Sequence, residues 1–212
     1  MAFPQELLGG YSRFRNGRLA AERDRYRTLA EEGQRPGTMV IACCDSRAAP
    51  ETIFDTGPGE LFVVRNVANL VPEYDPENGQ HAASAAIEFA IAALGVRTIV
   101  VLGHARCGGI AASLDADMQP LTEANFIGRW IGPLKNDAAK VRSLEGRNVA
   151  ERQTEMERRG VRGSIERLHG FPQVREAIES DGLELHGAWF DIATGELWVM
   201  DPDTREFTRT NG

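Results

Sequence analysis

The sequence predicts an α/β fold in which a mostly parallel sheet of four strands is extended by a fifth strand and flanked by helices. Short, wholly apolar runs, such as 39–42 and 98–102, alternate with helical segments. Runs without polar alternation are typical of parallel strands that are buried on both faces of a sheet. The 212 residues are 42% hydrophobic, which fits one domain, 1–212, with a substantial core.

The first half of the chain begins with helix and then alternates strand and helix. Residues 6–32 are rich in Arg, Glu, Leu and Ala, and they predict one or two amphipathic helices. Strands are predicted at 38–43 and at 60–64, each next to a glycine- and proline-containing turn. A short helix is expected between these strands, at 50–54.

The second half continues the alternation and closes with a hairpin. Residues 81–94 are almost entirely apolar, which predicts a helix buried on most sides. A third strand is expected at 97–102, and the stretch 136–169, rich in Arg and Glu, predicts long helices. Two last strands, at 183–190 and 196–201, are expected to pair as a hairpin.

Composition argues against several classes of partner. The 24 basic and 31 acidic residues give a formal charge of -7, so there is no electrostatic signature for nucleic acid or an anionic membrane. No apolar run approaches the roughly 20 residues that span a bilayer, and the first residues lack the pattern of a signal peptide. We therefore expect a cytoplasmic protein, whose three cysteines bind metal or react rather than form disulfides.

Three metal-binding side chains follow two of the apolar runs. Cys43 ends the first run, and His104 and Cys107 follow the second. Because loops at the carboxyl ends of parallel strands build the sites of α/β proteins, we expect the three to meet. Two sulfurs and one nitrogen suit zinc, and three protein ligands leave the fourth position open, as in catalytic sites. The alternative for each residue alone is a buried structural cysteine or a satisfied histidine.

The spacing of His104 and Cys107 lets both lie on one face of a helix, if a helix begins there. Asp45 and Arg47 follow Cys43 by two and four residues. A carboxylate held by a bidentate arginine stays ionised and only accepts hydrogen bonds. We expect Asp45 to accept a hydrogen bond from a zinc-bound hydroxide and so to orient the nucleophile. The alternative is a salt bridge confined to the loop.

The motif Cys43-x-Asp45-x-Arg47, followed by His104-x-x-Cys107 between glycines, resembles the signature of the β-class carbonic anhydrases. The resemblance extends through 59–69 and 86–90, weakens at 115–166, and returns at 185–187 and 194–195. It implies zinc-dependent reversible hydration of carbon dioxide to bicarbonate and a proton, with one Zn²⁺ per chain. It also implies a homodimer or tetramer, with the helical arm 1–34 as a dimer contact.

The resemblance further implies a site of the open, plant-like form. Relatives whose aspartate can close onto the metal carry a tryptophan and a tyrosine where this chain has Val40 and Phe190, so a regulatory bicarbonate site is not expected. Gln34 falls where open-form relatives carry a glutamine that hydrogen-bonds the substrate. Phe62 matches an apolar wall of that pocket, and Phe89 stands where relatives commonly carry a tyrosine, whose hydroxyl this chain lacks. Both are equally well explained as core residues.

Two rival functions remain open at this point. The same site could hydrolyse carbon disulfide or carbonyl sulfide, as some relatives of this fold do, or the chain could be a non-catalytic zinc-binding protein of sensing or assembly. Among the remaining residues, Arg65, Asn66 and Asn69 are expected to tie down loops or a subunit contact rather than to touch carbon dioxide. His81, His169 and His186 are candidates for a proton shuttle because imidazole titrates near neutrality, although each alone is better explained as structural or exposed.

Overall fold

A computed structural model describes residues 2–77 and 82–210. Its centre is a six-stranded sheet with the order β2-β1-β3-β4-β5-β6, in which the first four strands are parallel and the last two are antiparallel to their neighbours. The strands are β1 Thr38–Cys43, β2 Leu61–Asn66, β3 Thr98–His104, β4 Glu184–Phe190, β5 Leu197–Met200 and β6 Phe207–Arg209.

The predicted α/β class and the hairpin of β4 and β5 are confirmed. The predicted number of strands is wrong, because the sheet has six rather than five. The missing strand is β6, a three-residue strand beyond β5 in which only Phe207 is buried. Such a short strand carries no apolar run that a periodicity argument can detect.

The helices precede β1 or connect successive strands up to β4. Predicted segments 6–32 and 136–169 are divided by short breaks, and the helix α10 was not predicted. None of the helices in the described part of the chain is long and apolar enough to cross a membrane. The helices are α1 Gln5–Asn16, α2 Arg18–Ala21, α3 Arg23–Glu32, α4 Pro50–Ile53, α5 Ala82–Ala92, α6 Gly108–Leu114, α7 Phe126–Trp130, α8 Lys135–Arg142, α9 Val149–Leu168 and α10 Pro172–Asp181.

One face of the sheet carries the main core, under α5, α9 and α10. Helix α9 lies unusually close to β3 and β4 because both strands present a glycine to it. A Cβ added at Gly103 would lie 2.7 Å from Val161 Cγ2, and one added at Gly187 would lie 2.9 Å from Val161 Cγ1. The two glycines therefore fix the depth of α9 against the strand that ends at His104.

The opposite face of the sheet is only partly covered. Val40, Ala42, Leu102 and Ala188 are buried there, but their neighbours Leu61, Val63, Val100, Phe190 and Leu197 are half-buried. Within residues 2–77 and 82–210, Ile53 and Phe54, at the end of α4, are the partly buried hydrophobic residues from outside the sheet that pack on this group. The expectation of cover on both faces is therefore met on the face under α5, α9 and α10 and only in part on the other.

Candidate metal centre

Three predicted ligands converge at the carboxyl edge of the sheet. Cys43 is the last residue of β1 and His104 is the last residue of β3. The two strands are parallel neighbours, so their ends lie side by side. Cys107 directly precedes α6 and completes the group. The three side chains are buried, and their ligand atoms all lie within 4.8 Å of one another.

A tight turn, and not a helix, brings His104 and Cys107 together. His104 is still in the extended strand, whereas Cys107 has extended backbone at the start of α6. Arg106 joins them with a φ of 56°, in the left-handed region that side chains other than glycine rarely adopt. Gly109 then lets α6 approach the 3-10 turn after β2, since a Cβ there would lie 2.6 Å from Val67 Cγ1.

The two thiols are in contact, and each changes the pKa of the other. Cys43 Sγ lies 3.8 Å from Cys107 Sγ. The hydrogen bond with Cys107 lowers the pKa of Cys43, and the same hydrogen bond, together with burial, raises the pKa of Cys107. Backbone N–H groups at the start of α6 act in the opposite direction on Cys107. One thiolate therefore opposes formation of the second unless a cation joins them.

The residues present fit a zinc ion. Nε2 of His104 is buried without a hydrogen-bond partner among the described residues, and it belongs to the same group as the two sulfurs. The other ring nitrogen, Nδ1, lies 2.9 Å from the backbone oxygen of Ala105. A carbonyl partner on Nδ1 leaves Nε2 as the ligand atom, which is a common arrangement around metals. Thiolate and imidazole are the ligand types that zinc prefers.

Asp45 and Arg47 form the predicted pair beside these ligands. Arg47 donates from Nε and from its backbone N–H to Oδ1 of Asp45, at 2.9 and 3.0 Å, and from Nη2 to Oδ2 at 2.7 Å. The Arg47 hydrogen bonds hold the pKa of Asp45 well below its usual range. Oδ2 lies 4.0 Å from Nε2 of His104. An ionised carboxylate therefore borders the ligand group.

Arg65 supports the loop that carries Cys43 and Asp45. Its Nε donates to the backbone oxygen of Cys43 at 2.8 Å, and its Nη2 donates to the backbone oxygen of Asp45 at 2.6 Å. This is the loop-fixing role expected from the sequence. Cys44, between the two, is exposed and stands apart from the ligand group.

The sequence interpretation missed a buried carboxylate behind the metal ligands. Glu157, on α9, is 2% exposed and accepts hydrogen bonds from the Cys107 backbone N–H at 3.0 Å and from Trp189 Nε1 at 3.0 Å. Burial raises the pKa of Glu157, and these hydrogen bonds oppose that shift. A signal was available, because position 157 lies on the same helical face as the apolar residues Val161 and Leu168.

Gln34, Phe62 and Phe89 do not lie near the metal ligands of their own chain. Phe62 pairs with Met39, four residues before Cys43 on β1, which places it about 13 Å from the ligand edge. Phe89 packs against Phe62, with ring centroids 5.8 Å apart, and is 49% exposed. Gln34 is exposed and precedes the first residue of β1. All three lie towards the amino end of the sheet.

The candidate proton-shuttle histidines are also distant or undescribed. His186 pairs with Val100 in the sheet, four residues before His104, and its Nε2 lies 3.1 Å from a carboxylate oxygen of Glu184. His169 is exposed where α9 ends. His81 lies outside the described residues.

Fold and ligand set together define a class: an α/β metalloprotein with a Cys-His-Cys centre at the carboxyl edge of a parallel sheet. The sequence matches the family model described as carbonic anhydrase over residues 38–197. A carbonic anhydrase of Pseudomonas aeruginosa is 34% identical over 203 residues, which are 96% of this chain and 90% of that protein.

Solved structures show the same relationship. The β-carbonic anhydrase CcaA superimposes with a TM-score of 0.88 at 28% identity, over 98% of this chain and 92% of that one. A structure reported among two tetrameric β-carbonic anhydrases from Sordaria macrospora gives a TM-score of 0.80 at 32% identity, over 92% and 95% of the two chains. The chain belongs to the β class of the carbonic anhydrases, a family of enzymes, and the resemblance seen in its motifs is confirmed.

Proposed function

We propose that this enzyme catalyses the zinc-dependent, reversible hydration of carbon dioxide to bicarbonate and a proton. The observation that carries the proposal is the convergence of Cys43, His104 and Cys107 beside an ionised Asp45. These three side chains would hold one Zn²⁺ per chain. Zinc, when bound, lowers the pKa of water towards neutrality and so supplies a nucleophile under physiological conditions.

Asp45 and Arg47 would orient that nucleophile. Three N–H groups of Arg47 occupy both oxygens of Asp45 from one side. The remaining lone pairs of Asp45 can only accept, so they take a hydrogen bond from the attacking O–H and turn its oxygen lone pair towards the substrate carbon. Arg47 also donates to the backbone oxygen of Arg106, which ties the carboxylate to the turn between the other two ligands.

We propose that the substrate pocket is completed by a second copy of the chain. Gln34, Phe62 and Phe89 lie at the amino end of the sheet, so they can reach a metal only if it is held by a partner. The sheet face around Val40 and Phe190 needs further cover, because parallel sheets are normally buried on both faces. Exposed Phe3, Leu7, Leu8 and Tyr11 of the 1–34 arm offer apolar surface for the same contact.

Mixing variant subunits tests this arrangement. Gln34→Ala and Asp45→Asn homodimers are each expected to have low activity. If Gln34 serves the partner's metal, random mixing makes half of the dimers hybrid, each with one intact site, so about one quarter of wild-type activity returns. No recovery would show that both residues act within one chain, and full activity of Gln34→Ala alone would remove Gln34 from the substrate site.

Assays of the zinc-loaded wild type test the reaction itself. Stopped-flow measurement with a pH indicator is expected to show carbon dioxide hydration that is lost on chelation and restored by zinc. Carbon disulfide and carbonyl sulfide are assayed on the same preparation, since turnover of either without carbon dioxide hydration would replace the proposal. Stoichiometric zinc with no turnover of any of the three would favour a sensing or assembly protein. The one-domain organisation and the cytoplasmic location stay predictions, the latter open to cell fractionation.

A further inference from the structure

Glu157 is a buried acidic residue whose partners are all hydrogen-bond donors. Its Oε1 accepts from the Cys107 backbone N–H at 3.0 Å and from Gln153 Nε2 at 3.1 Å, and its Oε2 accepts from Trp189 Nε1 at 3.0 Å. No arginine, lysine or histidine of the described residues forms an ion pair with it. Glutamate is rarely buried without such a partner.

The donor set explains why a carboxylate occupies this position. An ionised carboxylate has two oxygens that only accept, which matches three N–H groups arriving from three segments of the chain. A glutamine of the same size has one oxygen and one NH₂ group. In either orientation its NH₂ would face an N–H group of Cys107 or Trp189, and a buried donor would lose its acceptor.

Glu157 contacts the turn that joins two of the metal ligands. The Cys107 N–H follows Arg106, whose left-handed φ of 56° bends the chain between two ligands. Glu157 itself is in the middle of the 20-residue helix α9, which begins with a capping box at Asn148. The close packing of Val161 on Gly103 fixes the same helix against β3. A rigid element thus holds an acceptor against a strained turn.

We propose that Glu157 is a positioning residue of the metal centre, which holds Cys107 in its ligating position before the metal arrives. This inference rests on the proposed metal site, although not on the reaction catalysed there. Groups that fix metal ligands typically change metal affinity by about 10- to 100-fold when they are removed. A merely structural buried carboxylate would instead change the stability of the metal-free fold and leave the metal affinity of the folded protein unaltered.

Glu157→Gln is the test, with Ser164→Ala as a matched control. Ser164 is also a fully buried polar residue of α9, but its hydroxyl bonds to the backbone of Val71 and Asn69 rather than to the backbone of a ligand residue. Zinc affinity is measured by competition with a chromophoric chelator, and the thermal midpoint of each metal-free protein is measured separately. Absorption of the cobalt-substituted proteins reports the geometry of the ligands.

Zinc affinity is expected to fall by about 10- to 100-fold in Glu157→Gln, with an altered cobalt spectrum, and to stay at the wild-type value in Ser164→Ala. Unchanged affinity in Glu157→Gln, or an equal loss in Ser164→Ala, would overturn the inference. If Glu157→Gln does not fold, Trp189→Phe is measured instead, because it removes one hydrogen-bond donor to Glu157 and keeps an aromatic ring. Lower zinc affinity in this variant supports the positioning role of Glu157, and unchanged zinc affinity refutes it. A wild type that binds no zinc would refute the metal site itself.

Discussion

Replacing Asp45 by Asn should separate catalysis from stability. The substitution keeps the size of the side chain and removes one acceptor oxygen, so an NH₂ group faces either Nε and the backbone N–H of Arg47 or its Nη2. It also removes the charge 4.0 Å from Nε2 of His104. The ligand atoms themselves are untouched, and zinc should still bind stoichiometrically.

The two expected magnitudes differ widely. The Arg47 side chain is 52% exposed, and ion pairs this exposed contribute little to stability because solvent screens them. A group that positions a reacting O–H contributes about 10²- to 10³-fold to the rate, which corresponds to about 3 to 4 kcal/mol of the barrier. The rate of hydration should therefore fall far more than the free energy of unfolding.

Stopped-flow hydration, zinc content and urea unfolding are measured on the same preparations. Glu196→Gln is the control, because Glu196 forms a similar partly exposed pair with Arg209 at 2.7 Å on the β5 and β6 edge. The control should lose about 1 kcal/mol or less and keep full activity. If Asp45→Asn retains wild-type turnover, or loses activity only by losing zinc, the orienting role of Asp45 is wrong.

Three further outcomes are expected. Cys43→Ser should lower zinc affinity by at least about 100-fold, measured by chelator competition, and stoichiometric zinc after dialysis would contradict the ligand set. The folded-state pKa of Asp45 is depressed, so its ion pair with Arg47 stabilises the fold above the unfolded pKa of about 3.9, and this stability is lost as the pH falls further. The difference in thermal midpoint between wild type and Asp45→Asn should therefore be constant near neutrality and shrink in acid. A difference that is independent of pH would refute the assignment. Phe171→Ala, at a core position that is 1% exposed, should cost about 3 to 5 kcal/mol in urea unfolding, and a loss below about 1 kcal/mol would show that the site collapses around the missing ring.

The position of the metal ligands at the carboxyl edge of the sheet could be predicted because it depends on short stretches of sequence. Cys43 and His104 end apolar runs, and the carboxyl ends of parallel strands must meet. The pair of Asp45 and Arg47 is also local, since two residues on one loop are close whatever the rest of the chain does. The first inference needed only the ends of two parallel strands, and the second needed only the residues of one loop.

The long-range parts of the site could not be predicted in the same way. Glu157 reaches Cys107 across 50 positions, through a helix depth that two glycines on other strands determine. The resemblance that selected Gln34, Phe62 and Phe89 gave their identities but not the end of the sheet at which they lie. Strand β6 was missed because edge pairing to β5, rather than an apolar run, defines it.

The distance along the chain between the two thiols has a consequence for folding. Cys43 and Cys107 are 64 positions apart, yet their sulfurs lie 3.8 Å from each other. The unfolded chain would have to close a loop of that length before one ion could reach both sulfurs, which costs about 4 kcal/mol on the loop-entropy account used for disulfides. The ion therefore binds the folded chain in preference and stabilises it. Removal of the metal should therefore lower the temperature at which the protein unfolds. The supply of zinc would then determine how long the folded enzyme persists as well as whether it is active.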